Sequence, residues 1–298
     1  MIDFDFNKLK EYTRYPKNIF TLIILLPFVL AFYMLLSNVN DESAQMGNTV
    51  YADVAKSGCE SGTRSGSAGA TYGESTPKGI KYNVRTPLNY DSSYAHPLLM
   101  VYAPARANRA KMEVMTNLTA EATMAGFIVA YADHPDLSPT STIELGTIPS
   151  LIAKKWCVDE QRMFLTGHSD GGTVSMALGF MPVNEDFPSA IAPSAAGINY
   201  QELSNHQCPN PLSVMVMHSS KDKLFPGFGA ESAGWWAACN DCDPIPNRLD
   251  NGCIEYPNCN NGVKTWYCEG NKPHSQWPGL NYAILEFFKS VGGKRNVD

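Results

Sequence analysis

From residue 80 onward, short apolar runs alternate with longer stretches in which apolar positions recur every three or four residues. "LLMVYA" at 98–103 and "FIVAYAD" at 127–133 are almost unbroken apolar runs, the pattern of strands covered on both faces. "IKYNVRT" at 80–86 alternates apolar with polar and predicts a half-buried strand. "RMFLTG" (162–167), "SAIAPSAAGI" (189–198), "LSVMVMHSS" (212–220) and "VKTWYCEG" (263–270) predict further strands. Between them, "KMEVMTNLTAEATMAG" (111–126) has helical spacing and stops at Gly126. "TIELGTIPSLIAKKW" (142–156) predicts a helix that Pro149 bends or splits, because proline removes a backbone donor. "GGTVSMALGF" (171–180) and "NYAILEFFKSV" (281–291) predict two more helices. Strands alternating with helices imply a mostly parallel sheet with helices on both faces. Residues 59–79 are rich in Gly and Ser and predict a loop.

Upstream of this block the pattern changes. Residues 19–36, "IFTLIILLPFVLAFYMLL", carry no charge and are apolar on every face, which is unlike a helix packed in a globular core. Lys8, Lys10, Arg14 and Lys17 precede them, and Asp41 and Glu42 follow. The expectation is an N-terminal hydrophobic helix, either an uncleaved signal anchor or a cleaved signal peptide. The long leading region and the lack of a small-x-small cleavage site favour the anchor. Cationic flanks stay in the cytoplasm, so the following domain would lie outside it. The expected organisation is a cytoplasmic region at 1–18, the hydrophobic segment at 19–36, a polar tether at 37–58 and one enzyme-sized domain at 59–293.

Composition adds little except through cysteine. A net charge of −6 and the absence of a basic stripe interleaved with aromatics exclude a nucleic-acid partner as a working idea. Eight cysteines are present, five of them between 239 and 268. Export favours disulfides. A zinc site on Cys239, Cys242, Cys253 and Cys259 is the alternative, but the spacing of Cys253 and Cys259 is wider than zinc ligand pairs usually show, so disulfides and no metal are expected. Five is odd, so full pairing requires at least one bridge from the cluster to the rest of the chain.

The candidate chemistry centres on Gly167-His168-Ser169-Asp170-Gly171. A serine between two glycines, directly after a predicted strand and before a predicted helix, is the context of a nucleophile elbow. A serine hydroxyl needs a base to take its proton. In this fold the partners follow in the order Ser, acid, His. His96, His134 and His168 precede Ser169, while His206 and His218 precede the best acid. His274, in the loop after the last predicted strand, is therefore the expected base. Asp222, just past "LSVMVM", is the expected acid, with Asp241 and Asp243 weaker because they sit in the cysteine cluster. His218 is expected to support the acid's loop.

"GHSDGG", "HSSKDKLFP" and "PHSQWPG", in this order, resemble extracellular esterases that include polyhydroxybutyrate depolymerases and the carbohydrate-esterase feruloyl and acetylxylan esterases. "WCVDEQRMFLTGHSDGG", "FPSAIAPSAAG" and "WWAACNDC" are similar to further segments of that family, so the resemblance spans about 59–291. It implies an α/β-hydrolase fold with Ser169 as nucleophile, Asp222 as acid and His274 as base. Two departures stand out. The family has a His-Gly pair after the strand matching "LLMVY", where backbone N–H groups help hold the oxyanion. Here Ala103-Pro104 stands there, and proline has no N–H. The expected donors are then the N–H groups of Ala105 and Asp170. The second departure is Asp170 itself, an acid beside the nucleophile that would disfavour anionic substrates.

The cysteine-rich stretch 239–268 is expected to form a stapled flap over the triad. Trp235, Trp236, Trp266 and Tyr267 lie in or near it, with Trp277 beside His274. His168, Trp277 and Trp235 are the expected substrate contacts, with core packing as the competing reading for each aromatic. The function these residues predict is hydrolysis of carboxylic esters outside the cytoplasm, on a polyester or plant-polysaccharide-type substrate, without a cofactor. A serine peptidase on the same fold and a catalytically silent binding module are the alternatives.

Overall fold

The computed structural model describes residues 58–60, 62–181 and 187–291. The hydrophobic segment 19–36 and nearly all of the tether lie outside the described residues. Among those described, no helix is long and apolar enough to cross a membrane.

The strands are β1 (Ala70–Ser75), β2 (Lys81–Arg85), β3 (His96–Tyr102), β4 (Ile128–Ala132), β5 (Val158–His168), β6 (Ala190–Ser194), β7 (Ser213–Ser219), β8 (Asn247–Arg248), β9 (Ile254–Tyr256) and β10 (Thr265–Gly270). They form one sheet in the order β1-β2-β4-β3-β5-β6-β7-β10-β9-β8. From β4 to β10 every neighbouring pair is parallel. Antiparallel strands extend both edges, β2 and β1 on one side, β9 and β8 on the other. The helices are α1 (Arg109–Thr116), α2 (Thr119–Met124), α3 (Pro139–Gly146), α4 (Ile148–Lys155), α5 (Asp170–Phe180), α6 (Tyr200–Leu203), α7 (Phe228–Cys239) and α8 (Asn281–Ser290).

The continuous apolar runs divide between two cores by the two-residue period of a strand. Leu98, Met100 and Tyr102 of β3 join one cluster with Leu145, Ile152, Val174 and Trp236 from α3, α4, α5 and α7. Leu99 and Val101 join the other with Met112, Ala122, Ile284 and Phe288 from α1, α2 and α8. β3, β4, β6 and β7 thus have no solvent face, which is why their sequences read as nearly unbroken apolar runs.

The structure corrects several expectations. The predicted loop 59–79 contains β1, which adds an exposed antiparallel edge whose glycine- and serine-rich sequence hides the strand pattern. The predicted helix 111–126 is two helices, because Asn117 adopts a left-handed conformation and caps α1. The predicted helix 142–156 breaks at Thr147, and Pro149 lies in the first turn of α4, where no hydrogen-bond donor is needed.

The cysteine-rich stretch is not a flap over the triad. It supplies β8, β9 and β10 and so extends the sheet at its edge. All eight cysteines are paired: Cys59–Cys157, Cys208–Cys239, Cys242–Cys259 and Cys253–Cys268. Cys239 supplies the outward bridge that the odd count required. No cluster of potential metal ligands occurs among the described residues. Trp235 and Trp236 lie in the core on α7, with Trp235 edge-on to Phe180, and Trp266 packs against Phe287. Their large apolar area is spent inside the protein.

Candidate active site

In an open parallel sheet, binding sites form beyond the C-terminal ends of the strands. Ser169, Asp222 and His274 all lie there, after β5, β7 and β10 respectively. Ser169 joins β5 to α5 with φ 55° and ψ −118°, a strained conformation for a residue with a side chain. Its flanking glycines make the turn possible. A Cβ on Gly167 would strike the carbonyl of Gly171, and one on Gly171 would strike the carbonyl of Tyr102. Close approach of three backbone segments excludes any larger residue there.

The hydroxyl of Ser169 donates to His274 Nε2 at 2.9 Å. His274 Nδ1 donates to Asp222 Oδ2 at 2.7 Å. The other carboxylate oxygen, Oδ1, accepts from the backbone N–H groups of Leu224 and Phe225 at 2.9 and 3.0 Å. Burial pushes the Asp222 carboxyl up, but the hydrogen bonds from His274, Phe225 and Leu224 outweigh it and hold the group below the usual carboxylate range. Asp222 is thus a buried carboxylate kept ionised by donors aimed at it.

Two further histidines brace this arrangement. His168 Nε2 lies 2.6 Å from the backbone carbonyl of His274, and Nδ1 lies 3.0 Å from Ser194 Oγ. A carbonyl can only accept, so Nε2 carries the proton and Nδ1 accepts from the Ser194 hydroxyl. Burial pushes the His168 imidazole down to about 4, so it is neutral at physiological pH. His218 Nε2 donates to the Phe225 carbonyl at 2.9 Å and stands 3.6 Å from Asp222 Oδ2, which fits the supporting role expected of it.

On the other side of Ser169, the chain leaving β3 makes a tight turn. The N–H of Ala107 donates to the carbonyl of Pro104 at 3.1 Å, and Arg106 has φ 61°, which is the pattern of a type II turn. The N–H of Ala105 takes no acceptor among the described residues. Asp170 is the first residue of α5, so its N–H has no partner within the helix and sits at the positive end of the helix dipole. Its carboxylate Oδ2 accepts from His134 Nε2 at 2.9 Å.

The expected substrate contacts fare differently. His168 and Trp277 are buried, and the Trp277 indole donates to Asn281 Oδ1 at 2.8 Å while its ring lies edge-on to His168. Both make their contacts within the protein, His168 to the His274 backbone and Trp277 to Asn281. Trp235 makes core contacts with Phe180 and Trp236. The aromatic that stands at the triad is Phe225, edge-on to His274 with ring centres 5.0 Å apart, stacked on Phe228 and packed on Gly197. Phe225, His134 and Ser194 escaped the sequence reading. Their common signal was available: each lies at or shortly after the C-terminal end of a parallel strand.

No family model matches the chain. Curated relatives include feruloyl esterase B of Piromyces equi, 25% identical over 224 residues, covering 64% of this chain and 41% of that protein. Feruloyl esterase D of Neurospora crassa is 22% identical over 237 residues, covering 68% of this chain and 78% of that protein. The chain is similar to feruloyl esterases in sequence and shares its fold with esterases of the α/β-hydrolase type. The chain spans less than half the length of the first of these relatives. Its fold is shared by an acetyl xylan esterase from Aspergillus awamori, with a TM-score of 0.54, 15% identity and coverage of 75% of this chain and 99% of that one. An S-formylglutathione hydrolase from Staphylococcus aureus matches with a TM-score of 0.53, 12% identity and coverage of 75% and 99%.

Proposed function

We propose that this α/β-hydrolase cleaves carboxylic esters of the plant-polysaccharide type through an acyl-enzyme on Ser169. The observation that carries the reading is the unbroken line of hydrogen bonds from Ser169 Oγ to His274 and from His274 to Asp222. His274 Nε2 takes the Ser169 proton as Oγ attacks the ester carbonyl. Asp222 holds the imidazole in the tautomer that leaves Nε2 free to accept, and stabilises the imidazolium that forms. The N–H groups of Ala105 and Asp170 hold the oxyanion of the tetrahedral intermediate. The intermediate collapses as His274 returns the proton to the leaving alcohol. Water then attacks the acyl-enzyme, with His274 again acting as base, and the acid product leaves with Ser169 restored.

The substrate class rests on the relatives named as feruloyl esterases and on Phe225, whose ring beside His274 offers a flat apolar wall to an aryl acyl group. Four disulfides support a location in an oxidising compartment outside the cytoplasm.

The test is covalent labelling of the oxidised protein with a fluorophosphonate probe, followed by mapping of the adduct. An adduct on Ser169 that is lost in Ser169→Ala and strongly reduced in His274→Ala is expected. A folded wild-type protein that takes up no probe would leave the binding-module alternative standing. A panel of feruloyl, acetyl and hydroxybutyrate esters, with the matching amides, then separates the polysaccharide-ester reading from polyester and peptide cleavage.

A further inference from the structure

The turn that carries Ala105 is bracketed by two consecutive residues at the end of β4. Tyr102, the last residue of β3, lies opposite Ala132 of β4 on one side and Gly167 of β5 on the other. The three chains therefore leave the sheet level with one another, with β3 in the middle. His134 is two residues beyond Ala132, Pro104 two beyond Tyr102 and Ser169 two beyond Gly167. The backbones of β4 and β5 are separated by two strand spacings, roughly 10 Å. The 2.9 Å contact between His134 Nε2 and Asp170 Oδ2 closes that gap from side chain to side chain, and the first turn of α5 is packed so closely on the chain leaving β3 that a Cβ on Gly171 would strike the Tyr102 and Ala103 carbonyls.

The neighbouring residue, Asp133, ties down the other end of the turn. Its Oδ1 accepts from the Arg109 backbone N–H at 2.8 Å and its Oδ2 from Arg109 Nη1 at 2.7 Å. Arg109 Nε also donates to Asn83 Oδ1 of β2 at 2.9 Å. Asp133 thus holds the start of α1, and His134 holds the start of α5. The segment Ala103–Asn108 runs between those two anchors. Pro104 and the left-handed Arg106 limit its freedom further.

We infer that His134 is a positioning residue for oxyanion binding: through Asp170 it fixes the first turn of α5 against the Pro104–Ala107 turn, so that the two segments bearing the Ala105 and Asp170 N–H groups keep a constant separation. This rests on the reading of Ser169 as nucleophile. The same contact gives Asp170 a task. An acid beside the nucleophile repels a developing oxyanion unless a donor draws its carboxylate aside, and the His134 imidazole supplies that donor.

The experiment compares wild type, His134→Ala, His134→Gln, Asp170→Asn, Asp170→Ala and the double variant His134→Ala/Asp170→Ala, all with disulfides formed. Steady-state hydrolysis of p-nitrophenyl acetate and the rate of fluorophosphonate attack on Ser169 are measured, with thermal melting as the check on folding. His134→Ala is expected to lower kcat and the phosphonylation rate by about 30-fold each, with KM within about twofold, because a displaced donor acts on the transition state. Glutamine can place an N–H near the position of Nε2, so His134→Gln should return both rates to within about threefold of wild type. Asp170→Asn keeps an acceptor and should behave similarly, whereas Asp170→Ala should not. The double variant should be no slower than the slower single variant, since both remove one contact.

A loss below about twofold in a folded His134→Ala protein would overturn the inference. So would a rise in KM alone, which would make His134 a substrate contact, or losses that multiply in the double variant. If His134→Ala does not fold, the contrast between Asp170→Asn and Asp170→Ala decides the matter, with equal rates counting against it. Failure of the nucleophile reading is separately visible, because then wild type itself takes up no probe.

Discussion

In β3 all seven residues are buried, whereas in β9 none of the three is, and both residues of β8 are exposed. These are the middle and the edge of one sheet. In the middle, β3, β4 and β7 bury every residue between two layers of helices, and hydrophobic burial holds them. The edge has too little apolar surface for that, and three of the four disulfides fall there or on the adjoining end of α7. A covalent link stabilises a segment by restricting its unfolded chain, so it can order strands that pack poorly. The difference bears on chemistry because β10 belongs to both regions. It pairs with β7 on one side and β9 on the other, and the loop that follows it delivers His274. Ser169 is positioned by the buried middle, and His274, its hydrogen-bond partner, hangs from the strand at which the stapled edge begins.

Interventions at the triad itself should give the largest effects. Asp222→Asn should lower kcat for ester hydrolysis by about 10⁴ with little change in melting temperature, because the amide no longer favours the tautomer that keeps Nε2 free. A fall of less than tenfold would show that Asp222 does not act through His274. Next comes the middle of the sheet. Leu165→Ala removes a fully buried side chain from β5 and should cost about 2–5 kcal/mol in denaturant unfolding. At the edge, the paired change Cys253→Ser/Cys268→Ser opens a link across 15 residues. It should cost about 3 kcal/mol. If the two regions are coupled through β10, that variant should also lose activity before it loses the secondary structure seen by circular dichroism. Retention of full activity up to global unfolding would separate the regions completely.

The smallest expected effect concerns pH. The His168 imidazole is pushed down to about 4 in the folded protein, below its unfolded value. The unfolded chain therefore binds a proton first as pH falls, and stability is lost on descending from the unfolded value toward the folded one. Between pH 6 and pH 5 this single group should remove roughly 1 kcal/mol of stability. A neutral replacement, His168→Gln, should flatten that slope in urea titrations at the two pH values. An unchanged slope would assign the pH dependence to other groups.

The strand–helix alternation, the two-faced burial of the central strands and the identity of the residues that converge as a triad were legible in the chain. Each leaves a local or ordered mark: unbroken apolar runs, a serine between glycines, an acid and a histidine in loops after successive strands. The misreadings share a cause. The aromatics near the cysteine cluster look like the wall of a cleft, but aromaticity serves a core and a binding face equally well. Only packing showed that Trp235, Trp236 and Trp266 are inside. The cysteine spacing implied disulfides but not that the bridged segment extends the sheet, since two- and three-residue strands have too few positions to display a period.

The bridge between His134 and Asp170 marks the boundary between the two kinds of information most clearly. Nothing near His134 in the chain announces a partner 36 residues away. The contact exists because β3 inserts between β4 and β5 in the sheet, an order that depends on how crossover helices pack rather than on any local pattern. The amino-acid sequence on its own determined the central strands, the main helical stretches and which side chains carry nucleophile, acid and base chemistry, because those follow from periodicity and residue type. The tertiary structure decided which of those side chains meet, which aromatic faces the triad and how the loop after β3 is held, because each depends on contacts between segments distant in the chain.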